Sequence, residues 1–351
     1  MKTLNELLKL AIDEKASDIH ITVGVSPVIR VDGKLITLDE AKLKPIDTEK
    51  YARELLGHQY DEYSKEGEMD FSFSMPGIGR FRVNVYKQRD SDAIAMRAVG
   101  SKIPALKDLH FPNVVGEMIE AQRGLILVTG PTGSGKSTSL AAMINEINST
   151  RNCHIITLED PVEYLHRHNK SIINQREIGK DSKSYASALR AILREDPDII
   201  LIGEMRDLET ISIAITAAET GHLVFSTLHT IGAAKTIDRI TDVFPPHQQQ
   251  QIKIQLATVL KGIISQQLLP SFNDKGRVAA LEIMLNTPAI QNLIREGKTH
   301  QIQSIIQTGN KYGMKTMDMS LIELFKKGEI SEEALMTYCV DRDMITRMMM
   351  F

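Results

Sequence analysis

The chain contains 351 residues, of which 42% are hydrophobic and 25% are charged, and this is the balance of an ordinary globular protein of about two domains. Such a composition excludes a disordered or fibrous chain. The net charge is −3 and is spread evenly, because residues 1–112 carry 17 basic against 18 acidic residues and the remainder carries 25 against 27. Neither part therefore has the basic character of a dedicated nucleic-acid-binding domain.

The apolar runs have the length of strands and are too short to span a membrane. The N-terminal segment carries Glu6 within its apolar stretch and lacks a small-residue cleavage site. A secretory signal is therefore not indicated, and we expect the protein to act in the cytoplasm. Cys153 and Cys339 are the only cysteines and form no CxxC pair, which argues against a zinc element or a disulfide framework.

Residues 1–99 predict a small α+β domain, because helices and strands are segregated along the chain. Asp32-Gly33 joins two short apolar runs and is typical of a hairpin turn. Residues 100–113 contain two prolines and little periodicity, and we interpret them as a linker. Helices are predicted at Leu4–Ala11 and within Thr48–Lys65, and strands at Asp18–Val23, Val28–Val31, Lys34–Leu38, Met69–Ser74, Arg80–Lys87 and Ala93–Val99.

From residue 114 to residue 351 the pattern changes to short apolar strands that alternate with helices. This pattern indicates an α/β domain whose parallel sheet is covered on both faces. Strands are predicted at Leu125–Thr129, Ile155–Leu158, Ile199–Ile202 and Leu223–Thr227, and helices at Ser137–Ile147, Ser184–Arg194 and Leu208–Glu219. From about residue 246 onward the prediction is almost entirely helical, with one strand at Val278–Met284.

A phosphate-binding loop is the most specific motif of the chain. Residues 129–138 read TGPTGSGKST, in which the first strand of the second domain leads into Gly130-x4-Gly135-Lys136-Ser137 and then into a helix. In this pattern the backbone N–H groups cradle phosphate oxygens, the lysine reaches the β- and γ-phosphates, and the serine hydroxyl ligates Mg²⁺. The residues expected to surround the phosphates are Gly130, Pro131, Thr132, Gly133, Ser134, Gly135, Lys136, Ser137 and Thr138.

Titratable residues also follow the other three predicted strands of this sheet. Glu159 ends the second strand, with Glu163 just beyond it; Glu204 follows the third strand, and His229 the fourth. Ligands of open α/β sheets bind at the carboxyl ends of the strands, so we expect these groups to meet at a site of nucleotide hydrolysis.

Glu204 is our first candidate for the carboxylate that orients or deprotonates the attacking water. The segment DPDIILIGE resembles a Walker B strand, but Gly203 stands where the usual metal-binding aspartate would be. Mg²⁺ would then depend on Ser137, nucleotide oxygens and water, with Glu159 or Glu163 as candidates to assist. The alternative for Glu204 is a structural ion pair with the nearby Arg206.

Two histidines flank the fourth strand. His229, at its carboxyl end, can reach and sense the γ-phosphate, whereas the position of His222 at the amino end does not by itself indicate a role. For the arginines among the strands of the first domain, the default interpretation is that they form a solvated basic face. They could also supply the positive charge that a P-loop site needs in the transition state. These residues are Arg80, Arg82, Arg89 and Arg97.

Four segments in order resemble the Walker A, Asp, Walker B and His boxes of the secretion-type ATPases, the hexameric motors of type II secretion and type IV pili. They are GPTGSGKST (130–138), LEDPVEY (158–164), LREDPDIILIGEMRD (193–207) and TAAETGHLVFSTLHT (216–230). The segments AIQNLIREGKTHQI (289–302) and GMKTMDMSL (313–321) resemble the C-terminal signature of the pilus retraction motors, although Gln291 stands where that signature commonly has arginine.

The resemblance implies a PAS-like N-terminal domain, a RecA-like P-loop ATPase domain and a helical C-terminal region. It further implies a homohexamer that hydrolyses ATP with Mg²⁺ at the junction of the two domains, with Arg80 and Arg97 as the arginines that reach the nucleotide. It also supports a role for His222. The implied load is a type IV pilus, engaged at the pilus base through an inner-membrane platform protein, so that the chain would meet the membrane only through its partners.

Three alternatives remain open from the sequence. A pilus-assembly or type II secretion ATPase usually has an extra N-terminal domain and a four-cysteine zinc element, neither of which this chain can form. A nucleotide switch that does not hydrolyse ATP would bind nucleotide without turnover. A nucleic-acid translocase would be expected to carry a basic arm, which the even charge does not provide.

Overall fold

The computed structural model describes residues 2–31, 33–38, 41–75, 77–99, 103–272 and 276–349. Residues 348 and 349 are described by their backbone alone. Contacts divide the chain into two compact units. The first unit comprises residues 1–102 together with 163–165, and the second comprises residues 103–162 and 166–351.

The first unit is an antiparallel sheet with helices, the α+β organisation expected from the sequence. Its sheet has the strand order β3-β2-β1-β6-β5-β4. The strands are β1 (Asp18–Ile21), β2 (Val28–Val31), β3 (Lys34–Thr37), β4 (Glu68–Met75), β5 (Gly79–Gln88) and β6 (Ser91–Ala98), and the helices are α1 (Leu4–Asp13), α2 (Pro45–Leu56) and α3 (Tyr60–Glu66). Asp32 of the predicted hairpin turn lies outside the described residues.

A buried carboxylate holds α3 against the sheet of the first unit. Asp92 accepts hydrogen bonds from the hydroxyls of Tyr60 and Tyr63 at 2.9 and 2.8 Å, and its carboxylate lies 2.6 Å from Nζ of Lys87. Burial by itself would raise the pKa of Asp92, but the bonds from Lys87, Tyr63 and Tyr60 outweigh it and hold that pKa below its ordinary value. Burial and the bond to Asp92 raise the pKa of Tyr60 to about 12.

The second unit is built on a sheet of seven strands in the order β13-β12-β7-β11-β10-β8-β9. Neighbouring strands from β12 to β9 are parallel, and the β12–β13 pair is antiparallel. The strands are β7 (Gly124–Thr129), β8 (His154–Glu159), β9 (Ile172–Glu177), β10 (Ile199–Ile202), β11 (Leu223–Leu228), β12 (Leu260–Pro270) and β13 (Arg277–Leu285). This sheet confirms the α/β fold class predicted from the sequence.

Helices cover both faces of this sheet, which explains why its strands lack apolar–polar alternation. In β7, Leu125 and Leu127 pack into one apolar core, whereas Ile126 and Val128 pack into the other. The helices are α4 (Asn113–Ile119), α5 (Lys136–Thr150), α6 (Tyr185–Ile192), α7 (Leu208–Glu219), α8 (Ala233–Asp242), α9 (Pro246–Val259), α10 (Pro288–Glu296), α11 (Ile302–Thr308), α12 (Met317–Lys326), α13 (Glu332–Tyr338) and α14 (Arg342–Met349).

Two strands of the sheet were not predicted. The expectation of an almost wholly helical chain after residue 246 is wrong over Leu260–Pro270, because α9 ends at Val259 and the chain continues directly as β12. Strand β12 is buried on both faces and includes Gln266 and Gln267, so it has neither strand alternation nor an uninterrupted apolar run. Strand β9 (Ile172–Glu177) is polar for its length, and its pattern predicts no strand.

Candidate nucleotide site

The phosphate loop lies between β7 and α5, as the motif predicts. Gly130, Gly133 and Gly135 have φ angles of +144°, +79° and +88°, values at which a residue with a Cβ atom is strained. Space is also short, because a Cβ on Gly130 would lie 2.7 Å from Oγ of Ser134. The backbone therefore favours glycine at all three positions, and packing requires it at Gly130 as well. Helix α5 begins at Lys136, with its N-terminus at the loop.

Lys136 is already directed at this loop. Its Nζ donates hydrogen bonds to the carbonyl oxygens of Gly130 and Pro131 at 2.9 and 3.0 Å, and the side chain is buried. A charged amine held at the mouth of a glycine loop and a helix N-terminus is the donor set that binds nucleotide phosphates. The loop thus fits a phosphate chain, with Ser137 as the residue that follows the lysine.

Gln266, a residue of the unpredicted strand β12, packs against the phosphate loop. The Oε1 atom of Gln266 accepts a hydrogen bond from Oγ of Ser139 at 2.7 Å, and its Nε2 lies 2.8 Å from where a Cβ of Gly135 would be. Gln266 is buried. Sequence reasoning missed this residue, and the only signal for it was an amide pair inside an otherwise apolar run.

The four predicted strand ends meet as expected, because β7, β11, β10 and β8 are adjacent and parallel. Glu204 follows β10, and its Oε2 lies 3.4 Å from Nε2 of His229, which follows β11. Nδ1 of His229 lies 3.5 Å from Oγ1 of Thr132 in the phosphate loop. Because a carboxylate can only accept, a hydrogen on Nε2 would face Glu204, and this would leave Nδ1 to accept from Thr132.

The ion pair with Arg206 also exists, since Nε of Arg206 lies 2.6 Å from Oε1 of Glu204. However, the Arg206 side chain is 73% exposed, and the Glu204 side chain is 18% exposed. Exposed ion pairs contribute little to stability. A structural pair alone therefore does not account for a shielded carboxylate that faces His229 as well.

Glu159 is held at the neighbouring strand end. Its Oε1 accepts hydrogen bonds from Oγ1 of Thr157 at 2.6 Å and from Nε2 of Gln175 at 3.0 Å. Gln175 belongs to β9, the strand that sequence reasoning missed. Among the described side chains, no group of three or more His, Cys, Asp or Glu is arranged to hold a metal ion by itself.

A cavity of about 680 Å³ opens beside the loop on the side of α5. Gly135, Thr138 and Gln266 line it, together with His110 and Phe111 of the segment before α4. Its volume lies in the range of small-molecule sites, and its walls are part apolar, which suits the nucleoside end of a nucleotide.

His222, a predicted site residue of the second unit, lies away from this strand edge. His222 precedes the amino end of β11, and His229 follows its carboxyl end, so the length of the strand, about 20 Å, separates them. Nδ1 of His222 lies 2.9 Å from the carbonyl oxygen of Ala217. Glu163 falls within the first unit, as do Arg80 and Arg97. Within that unit Arg97 pairs with Asp18 at 2.9 Å, and Arg80 donates to Oγ of Ser74 at 3.0 Å.

A parallel sheet whose strand ends carry a phosphate loop, a shielded carboxylate and a histidine defines a P-loop nucleotide-binding protein. Residues 1–336 match the model of the family described as type II/IV secretion system protein, and the chain belongs to this family. No helix in the described ranges is long and apolar enough to cross a membrane.

The chain is similar to two curated proteins over most of its length. It is 48% identical to the type IV pilus retraction ATPase PilT of Pseudomonas aeruginosa, over 94% of this chain and 96% of that protein. It is also 48% identical to the twitching motility protein of Neisseria gonorrhoeae, over 88% of this chain and 83% of that protein.

Among solved structures, the crystal structure of the pilus retraction motor PilT with bound ADP superposes with a TM-score of 0.92. The two sequences are 50% identical, and the match covers 99% of this chain and 100% of the other. Together with the phosphate loop, this similarity identifies the chain as a nucleotide-binding ATPase.

Proposed function

We propose that this chain is an ATP-hydrolysing motor that powers the retraction of type IV pili, working as a homohexamer with ATP and Mg²⁺. One observation carries the proposal: Glu204, His229 and Thr132 form a contact chain from the Walker B strand to the phosphate loop. That arrangement supports a role for Glu204 as the water-orienting carboxylate and for His229 as a sensor beside the γ-phosphate that the loop would hold. Pilus retraction as the load rests on the retraction motors to which the chain is similar.

The residues divide the chemistry of hydrolysis between them. Lys136 and the loop amides neutralise and fix the β- and γ-phosphates. Glu204 orients the attacking water and accepts its proton as the bond to the γ-phosphorus forms and the bond to the β-phosphate oxygen breaks. His229 contacts Glu204 on one side and Thr132 on the other. A change at the γ-phosphate would therefore affect both the Walker B strand and the loop after β11.

Mg²⁺ bound to the nucleotide would neutralise charge that develops on the phosphate oxygens. The hydroxyl of Ser137 is the direct ligand that the loop offers, and Glu159 is placed to accept hydrogen bonds from metal-bound water. Mg²⁺ commonly keeps several waters at nucleotide sites, so few protein ligands are needed.

In the ring, we propose that arginines of the N-terminal domain, Arg80 and Arg97, reach the nucleotide, and that Glu163 and His222 contribute at contacts that form in the assembly. Domain closure would then depend on whether ATP or ADP is bound. The proposed partners are an inner-membrane platform protein and the pilus base, without nucleic acid or zinc. The proposed place of action is the cytoplasm, at the inner face of the cytoplasmic membrane.

One experiment tests both ATP hydrolysis and assembly of the hexamer. ATP turnover is measured against protein concentration, with mass determination on the same samples and Glu204→Gln beside the parent. We expect turnover to rise as a hexamer forms and to vanish in the variant. Nucleotide-bound monomers without turnover at any concentration would instead support a switch, the alternative function.

The load is tested separately in cells. Expression of the chain in a type IV piliated bacterium that lacks its own retraction motor should restore twitching, and Lys136→Ala should not. Restored pilus assembly in a strain that lacks its assembly motor, without restored twitching, would instead support an assembly ATPase.

A further inference from the structure

A tyrosine occupies the space that an aspartate would need at the end of the Walker B strand. A Cβ on Gly203 would lie 2.8 Å from the hydroxyl oxygen of Tyr185 and 3.2 Å from the carbonyl oxygen of Leu158. Both are closer than ordinary van der Waals contact. Tyr185, the first residue of α6, therefore occupies with its hydroxyl the space that a side chain at position 203 would enter, and an aspartate there would have to displace it.

The Tyr185 hydroxyl keeps its proton, because burial raises the pKa of Tyr185 and the negative charges of Glu204, Asp160 and Glu159 raise it further. In the part of the chain that the structure describes, no group accepts a hydrogen bond from it. The hydroxyl thus presents an unused donor beside Gly203, at the end of the Walker B strand.

We propose that Tyr185 is a positioning residue of the nucleotide site, whose hydroxyl holds a hydration water of nucleotide-bound Mg²⁺ in place of the absent Walker B aspartate. The proposal deepens the ATPase function and rests on it. It concerns a residue outside the four sequence boxes that define the site.

The hydrogen-bonding capacity of such a water matches these groups. A metal-bound water turns one lone pair to the cation and keeps two hydrogens and a second lone pair. Carboxylates such as Glu159 and Asp160 could accept the hydrogens, and the Tyr185 hydroxyl would donate to the remaining lone pair, which carboxylates alone would leave unmatched.

The first experiment measures metal dependence without turnover. A fluorescent, non-hydrolysable ATP analogue is bound to the full chain while Mg²⁺ is titrated, for the parent, for Tyr185→Phe and for Tyr338→Phe as a control. We expect Tyr185→Phe to raise the Mg²⁺ concentration at half-maximal binding by about fivefold, the effect of one hydrogen bond. Affinity for ADP without Mg²⁺ should not change.

Tyr338→Phe should leave the Mg²⁺ midpoint unchanged, because Tyr338 packs in the C-terminal apolar cluster. An unchanged midpoint in Tyr185→Phe would overturn the proposal. A parent that binds the analogue with Mg²⁺ but never hydrolyses ATP would instead refute the ATPase function alone.

A second experiment tests the geometry through stability. Gly203→Ala should lower the melting temperature of the parent, because the new methyl group meets the Tyr185 hydroxyl. In a Tyr185→Phe background the same change should cost less, since the oxygen in contact is gone. An equal loss in both backgrounds would show that the hydroxyl lies elsewhere, and the proposal would fail.

Discussion

Oε2 of Glu204 lies 3.4 Å from Nε2 of His229, although the two residues follow different strands. Because β10 and β11 are adjacent and parallel, their carboxyl ends bring the two side chains together. If Glu204 orients the attacking water and His229 senses the phosphate, as we propose, this contact would let one event, loss of the γ-phosphate, act on both strands.

Lys136→Ala should weaken nucleotide binding by about a hundredfold or more and abolish turnover, because it removes the only charged donor described within the loop. Binding is measured with a fluorescent ADP derivative and turnover by phosphate release. Lys235→Ala, an exposed change on α8, serves as the matched control and should behave as the parent. Parent-like affinity in Lys136→Ala would contradict the phosphate role of the loop.

Glu204→Gln should keep ADP and ATP binding within a fewfold of the parent, because the loop that holds the phosphates is intact. Turnover should fall by about 10²–10⁴-fold, the usual contribution of a positioned base. The exposed Glu209, which pairs with Arg190 on the protein surface, provides the control Glu209→Gln. If Glu204→Gln turned over ATP as the parent does, the base would have to be another carboxylate, with Glu163 the next candidate.

His229→Asn should lower turnover by about tenfold or more while leaving ADP affinity unchanged, since the histidine contacts Glu204 and Thr132 rather than the phosphate cradle. The measurement pairs steady-state hydrolysis with ADP binding. His247→Asn, an exposed change on α9, is the control. Equal loss of ADP affinity and turnover would mean that His229 maintains the loop rather than the hydrolytic contact.

Arg97→Ala should lower turnover in the assembled protein if this arginine reaches the nucleotide. The residue also pairs with Asp18 on the neighbouring strand, so its removal could act through that pair. Asp18→Asn breaks the same pair and keeps the arginine, which makes it the matched control. Similar turnover losses in both variants would assign Arg97 a structural role, and Arg80→Ala would then be the variant to compare.

The stability of the first unit should depend on pH through Asp92. Since its folded-state pKa is depressed, the stabilisation is present above the ordinary carboxyl pKa of about 4 and is lost as pH falls through the folded value. Asp92→Asn should cost about 3–5 kcal/mol at neutral pH, because it removes the charge that pairs with Lys87 and leaves one acceptor oxygen for three donors, Lys87 and the two tyrosine hydroxyls.

The measurement is chemical denaturation of parent and Asp92→Asn at several pH values. The difference between them should begin to shrink as pH falls below about 4, and it should be smallest once pH lies below the depressed folded-state pKa, where the carboxyl of the parent is protonated. Asp70→Asn, an exposed change on strand β4 of the same sheet, is the control. A difference that stays constant down to low pH would show that Asp92 is not the group that titrates.

Much of the site could be predicted from the sequence because its information is local. The phosphate loop is one continuous segment whose glycines satisfy a backbone requirement, and their φ angles are as the motif demands. Glu204 and His229 could be placed together because parallel strands that alternate with helices put their carboxyl ends on one edge. The alternation of strands and helices likewise indicated the covered sheet.

The error at β12 has a different origin. Residues 260–270 follow a helix without a break and carry two glutamines, so local pattern favours neither state clearly. The segment becomes a strand because β7 and β13 offer backbone partners on either side and both of its faces are buried. Gln266 could not be recognised as a support of the phosphate loop before that pairing was known.

By itself, the sequence determined the kind of chemistry and the chain segments that perform it, since a glycine loop, a strand and its terminal residue are each read from a few consecutive positions. Only the tertiary structure decided which distant groups share that site: Gln266 beneath Gly135, Gln175 beside Glu159, and Tyr185 in the space left by Gly203. The physical reason is that these contacts join segments far apart in the chain, and side-chain packing rather than local propensity brings them together.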